Sequence, residues 1–179
     1  MIAAQKKSEN IAEYLIYLFQ MEDLARTFQF DIDALMENFI KKSVPTVEGQ
    51  ESLKAWFLQL FKDMKAANAV KSGHTENVRE SMMELSYLHK TLLEVLNDPK
   101  YKTLCEQSQE VMQEFRQRSN LKNHHDVEVL LHAMYMKLQL RIRKQDISAE
   151  TEEALDKMRI QLAYLSREYK RMFATENLN

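Results

Sequence analysis

Apolar residues recur along this chain at steps of three and four, the spacing of one face of an α-helix. The clearest stripe is Leu155, Met158, Leu162, Leu165, Tyr169 and Met172, on a helix that Ser148 caps. Alternating steps of this kind make the narrow seam of a helical bundle. Val78, Met82, Leu85, His89, Leu92 and Leu96 form a second stripe and predict a helix over about 75–97. A third, Leu53, Phe57, Leu60, Met64 and Ala67, predicts a helix that begins after Thr46 and stops near Gly73, with Gly49 weakening its first turn. Between these elements, Asn97-Asp98-Pro99 is a specific start signal: Asp98 is placed to cap and Pro99 to sit at the first helical position. The helix that follows carries Tyr101, Leu104, Ser108, Val111 and Phe115. Another spans about 124–145, with Val127, Leu131, Met134, Leu138 and Arg141 or Ile142 facing inward. A short helix capped by Asp31 or Asp33 holds Ile32, Leu35, Met36, Phe39 and Ile40 and ends before Pro45.

The first helix departs from the one-sided pattern. From a cap at Ser8 to about Thr27 it is apolar nearly all round, through Ile11, Ala12, Tyr14, Leu15, Ile16, Tyr17, Leu18, Phe19, Met21, Leu24 and Ala25. A helix without a polar face is surrounded by other helices or covered by a second subunit. The expected fold is therefore all-α: a single-domain bundle of about six or seven helices around a central first helix. The domain spans 1–179, with an ordered core of about 8–173 and a tail, 174–179, expected to fray.

The opening run, Asn10 to Leu24, resembles the start of a Bacteroidetes family catalogued as a domain of unknown function, family forty-nine twenty-four. Ile147-Ser148-Ala149-Glu150-Thr151, with Leu165 and Tyr169, is similar to its last helix. The resemblance spans nearly the whole chain. It implies a bacterial, single-domain, helical protein and carries over no catalytic or binding residue.

Composition supports the helical reading. The chain of 179 residues holds only two glycines and two prolines, too few for the turns of a β-rich fold. Net charge is −2, without the basic excess of a duplex-binding domain. Cys105 is the single cysteine, so no internal disulfide forms, which suits a reducing compartment. The start has no signal-peptide pattern, and the most apolar stretch, 14–19, is too short to cross a bilayer. The cytoplasm is the expected compartment.

Candidate chemistry is sparse. Glu13, Tyr17 and Gln20 lie at i, i+4 and i+7 on the apolar first helix, so they need partners or line a pocket. With Tyr14, His89 and Tyr135 they make the candidate small-molecule pocket. Glu22 and Arg26, at i and i+4, are placed to pair with each other. A structural polar network is the competing reading, and a core or rim histidine bonded to a carboxylate is the competing reading for His89. His125, Glu128 and His132 share a helix face and are the candidate metal ligands, against a solvated helix start. His89, His125-Asp126 and Asp146 follow the order of ligands in HD-type metal phosphohydrolases, but the residues around the dyad differ from that family's. No Glu-x-x-His pair and no glycine-rich phosphate loop occur. Lys137, Arg141 and Lys144, with Arg143, form a basic face at a helix C-terminus, where the dipole already favours cations. Cys105 reads as a small buried thiol and the methionines as core filler.

No catalytic constellation is complete, and no cofactor, membrane or nucleic-acid partner is expected. The expected role is a non-enzymatic protein-interaction or structural module, pairing with a second copy of itself or with another protein. A small-molecule- or metal-binding bundle is the alternative.

Overall fold

The structure is a computed structural model that describes residue 7 and residues 9–173. All regular elements among these residues are helical. In chain order they are α1 (Ile11–Thr27); α2, made of Ile32–Leu35, a π-helical turn Met36–Ile40 and Lys41–Ser43; α3 (Val47–Ala66); α4 (Glu76–Lys90), which continues through a π-helical turn Thr91–Val95; α5 (Pro99–Arg118); α6 (Asp126–Ile142); and α7 (Ala149–Phe173). The expected cap Ser8 and the expected frayed tail lie outside the described residues. Among the described residues no helix is long and apolar enough to cross a membrane.

α1 is buried along most of its length. Between Ile11 and Thr27 only Glu13 and Thr27 are exposed. Asn10 starts it: its Oδ1 accepts from the backbone N–H groups of Ala12 and Glu13, and its Nδ2 donates to Glu13 Oε1 at 3.0 Å. This is close to a capping box and satisfies orphan donors of the first turn.

The described chain divides into two compact units, 17–79 and 1–16 with 80–179. In 17–79 the core is Met21, Ala25, Leu35, Ile40, Phe57, Leu60, Phe61, Met64 and Ala69. Aromatic rings knit it: Phe30 meets Phe61 edge-on at 5.2 Å, Trp56 meets Phe57 at 5.2 Å, and Tyr17 lies 6.3 Å from Trp56. Asp31, not Asp33, caps α2, accepting from Asp33 and Ala34. Gly49 does more than weaken α3. A Cβ there would stand 2.7 Å from Val44 Cγ1 and 2.8 Å from the Thr46 hydroxyl, which caps the helix by accepting from the Gly49 N–H.

In the other unit α7 packs against both α5 and α6, and α5 also packs against α6. The α7 stripe is buried from Leu155 to Tyr169, and Met172 emerges. α6 buries more than the one expected seam: Val129, Leu130 and Ala133 are enclosed along with Val127, Leu131 and Met134. Its expected inward residues Arg141 and Ile142 are exposed, because the helix ends there.

Helix ends explain two further departures from expectation. α3 stops at Ala66, not near Gly73. Asn68 is left-handed (φ 55°), Ala69 N–H donates to Met64 C=O at 2.8 Å, and Asn68 N–H to Lys65 C=O at 3.2 Å. These are the paired bonds of a Schellman motif. α1 and α6 end the same way at Gln29 (φ 52°) and Lys144 (φ 53°). Asn97 (φ 49°) closes the α4 segment. Left-handed residues other than glycine thus end four helical segments, which is how the chain manages with so few glycines. Leu96, expected on the α4 seam, is 57% exposed. In the π-helical turn Leu96 N–H bonds back five residues to Thr91 C=O, which rotates the following side chains off the seam.

Candidate functional site

The polar residues of the 80–179 unit form a chain of contacts along α5, from its cap Asp98 to Arg116 in its last turn. Asp98 caps this helix, its Oδ1 accepting from Tyr101 N–H at 2.9 Å. Its Oδ2 accepts from the Tyr164 hydroxyl of α7 at 2.8 Å. The Tyr101 N–H bond, followed by that hydroxyl, holds the Asp98 carboxyl below its ordinary value. Tyr101 and Tyr164 stack with centroids 5.6 Å apart.

Tyr101 is fully buried, and its hydroxyl lies 2.8 Å from His89 Nδ1. The other ring nitrogen of His89 stands 3.6 Å from Asp126 Oδ2. The imidazole thus bridges the tyrosine hydroxyl and the carboxylate, one ring nitrogen to each. Arg116 donates to Asp126 Oδ1 at 2.5 Å and to His124 C=O at 3.0 Å. The His89 imidazole and then the Arg116 guanidinium hold the Asp126 carboxyl well below the usual carboxylate range. Burial pushes the Tyr101 hydroxyl well above its own. Four helices are joined by this chain of contacts: His89 from α4, Tyr101 and Arg116 from α5, Asp126 from α6 and Tyr164 from α7.

Gln161 of α7 extends it. The amide Nε2 donates to Cys105 Sγ at 3.3 Å, and Oε1 accepts from the Ser108 hydroxyl. Burial pushes the Cys105 thiol up to about 11, so it stays protonated at neutral pH.

Asp126, Arg116, Cys105 and Gln161 of this network line a cleft of about 520 Å³. The floor is a continuous face of α5: Lys102, Cys105, Glu106, Gln109, Met112, Gln113 and Arg116, spaced at helical steps. Leu93 enters from the π-helical turn, Asp126 from α6 and Gln161 from α7.

Of the residues singled out from sequence, His89 and Asp126 meet in this network, and Asp126 and Cys105 line the cleft. Glu13 is exposed and bonded to Asn10. Tyr14 is buried in α1, Tyr17 is half-buried against Trp56, and Gln20 and Tyr135 are half-buried. None of these five lines the cleft. Glu22 does not pair with Arg26. It is fully buried, 2.6 Å from His74 Nδ1, and accepts from Thr75 N–H at 2.8 Å. Arg26 instead holds Asp23 and the carbonyls of Ala69 and Gly73.

The metal face is also rearranged. His125 takes the N-cap position of α6 in extended conformation (φ −68°, ψ 159°), so its side chain leaves the helical register that would align it with Glu128 and His132. His124 takes its place, 2.7 Å from Glu128 and with its ring 6.2 Å from that of His132. Among the described residues no group of three or more His, Cys, Asp and Glu side chains stands close enough to hold a metal ion. In the HD-like order only His89 and Asp126 meet, while His125 and Asp146 are exposed. On the basic face Lys137 is buried and paired with Glu152 Oε2 at 2.5 Å, and Arg141 reaches the other oxygen at 3.4 Å. Lys144 and Arg143 remain exposed.

Sequence reasoning missed Arg116, Gln161 and the role of Tyr101. One signal was available: Ser108 is a polar residue on an otherwise apolar seam, which demands a buried partner. Comparison with the curated proteins and with the solved structures returned no match. The family resemblance does hold: over residues 1–176 the chain matches, and belongs to, the family described as "Domain of unknown function (DUF4924)".

Proposed function

We propose that this chain is a non-enzymatic binding module that holds a small polar molecule in the α5 cleft. The observation that carries this reading is a cavity of ligand size with fixed polar lining: Asp126 and Arg116 are held to each other, Asp126 is backed by His89, and Gln161 is held by Ser108. Gln109, Gln113 and Gln161 offer amide donors and acceptors, Leu93 and Met112 offer apolar contact, and the charges are balanced between Lys102, Arg116, Glu106 and Asp126. That mixture suits a neutral or zwitterionic molecule rich in hydrogen-bonding groups. The π-helical turn beside the cleft adds support, since such turns recur at functional sites.

A binding role is favoured over catalysis because no activated nucleophile faces the cleft. The thiol is protonated, and the Asp126 carboxylate is already committed to Arg116 and His89. The lone cysteine supports a reducing compartment, such as a bacterial cytoplasm, as the setting.

The test is a thermal-shift screen with nucleosides, sugars and amino acids, followed by calorimetry. A binder should raise the melting temperature of the wild-type chain. It should lose at least tenfold in affinity in Gln109→Leu and Gln113→Leu, which alter exposed cleft residues outside the buried network. Binding that ignores both substitutions, or no binder in any class, would remove the reading.

A further inference from the structure

α4 carries a second stripe, on the side away from the core. Glu80, Met83, Tyr87 and Lys90 follow one another at steps of three, four and three, and all are exposed. Met83 is 70% and Tyr87 73% exposed, which makes them two of the most open large apolar side chains in the described chain. Glu80 and Lys90 make no ion pair among the described residues. Beyond Lys90 the hydrogen bonding changes to a π-helical turn over Thr91–Val95, which interrupts the regular spacing of the stripe.

The order of residue types on this stripe is self-complementary. Met83 with Tyr87, and Glu80 with Lys90, are both pairs centred on position 85. A two-fold axis through that point lays α4 antiparallel on a second α4. It sets Met83 against the partner's Tyr87, and Glu80 against the partner's Lys90, each contact made twice. Thioether on aromatic ring is a favourable contact, and the charges are opposite. A parallel pairing would put Glu80 on Glu80 and Lys90 on Lys90, like against like. We propose that the outer face of α4 is a homodimer surface, in which two copies of this chain pair antiparallel about position 85. The α5 cleft plays no part in this, and the two ideas stand or fall separately.

The experiment is sedimentation velocity on the full chain from low to high micromolar concentration, with circular dichroism to confirm that each variant is folded. The wild-type chain should pass reversibly from monomer to dimer. Glu80→Lys alone and Lys90→Glu alone should each weaken the dimer about tenfold, because symmetry counts every lost pair twice. The double variant Glu80→Lys with Lys90→Glu should restore it, and Met83→Glu should leave a monomer. A wild-type chain that stays monomeric throughout, or a dimer indifferent to the two single charge reversals, would overturn the proposal.

Discussion

Gln29 and Lys144 sit in the left-handed region, where a side chain other than glycine is strained by contact of its Cβ with the backbone. Replacing either by glycine keeps the Schellman bonds and removes the strain, although glycine is more costly to order. Gln29→Gly and Lys144→Gly should each stabilise the chain by about 0.5–1 kcal/mol in urea unfolding. Asn68→Gly should gain less, since asparagine tolerates this conformation. Asp126 makes a prediction of different kind. Its carboxyl titrates lower in the folded chain than in the unfolded one, with His89 and Arg116 as the cause. Between those two values the unfolded state binds more protons, so stability rises with pH there. The contribution is therefore complete above the ordinary carboxylate range near pH ~4 and is lost progressively as acid is added below it. Half the Asp126 side chain is open to water, so solvent screening makes the contribution modest. Melting curves of wild type and Asp126→Asn should differ at pH 7 and converge in acid.

At the scale of elements, the start of α5 matters most, because Asp98 caps the helix and also receives Tyr164. Asp98→Ala should destabilise the chain by about 1–2 kcal/mol and loosen the Tyr101–Tyr164 stack, visible in near-ultraviolet circular dichroism. This start was legible in the sequence, since Asp-Pro carries its own local geometry. Stripes at steps of three and four likewise gave the helices and most buried positions, because burial on one face imposes that period. The two π-helical turns were not legible. Each changes the backbone hydrogen-bonding register without changing residue type, and Leu96 reads as core until the turn rotates it outward. Nor were the long-range partners of the network legible: Tyr101 meets His89 twelve residues away and Cys105 meets Gln161 across 56, separations bridged only by helix packing. His89 itself stood out as a polar residue on a seam. Glu13 stood out for the same reason and proved to belong to a cap, which shows that spacing locates polar residues without naming what they bind.

At the scale of the molecule, each unit holds its own buried polar anchor. In 17–79 it is Glu22, enclosed completely and held by His74 and Thr75, with His74 stacked 4.2 Å from Phe19. A buried carboxylate stripped of its partner is far worse than none. His74→Ala should therefore cost about 3 kcal/mol, while Glu22→Met combined with His74→Ala should recover much of that loss. Urea unfolding of the two variants checks the non-additivity, and a double variant no better than the single one would count against a stranded charge as the cause.

The division of the chain also places its natural labels conveniently. The sole tryptophan, Trp56, stands among the aromatic rings of 17–79, and the sole cysteine, Cys105, in the other unit. Indole fluorescence then follows the melting of one unit, while the rate of thiol alkylation follows the opening of the other. Superimposed curves from the two reporters would mark a single cooperative transition, and separated curves would mark two that can be studied one at a time without adding a foreign probe.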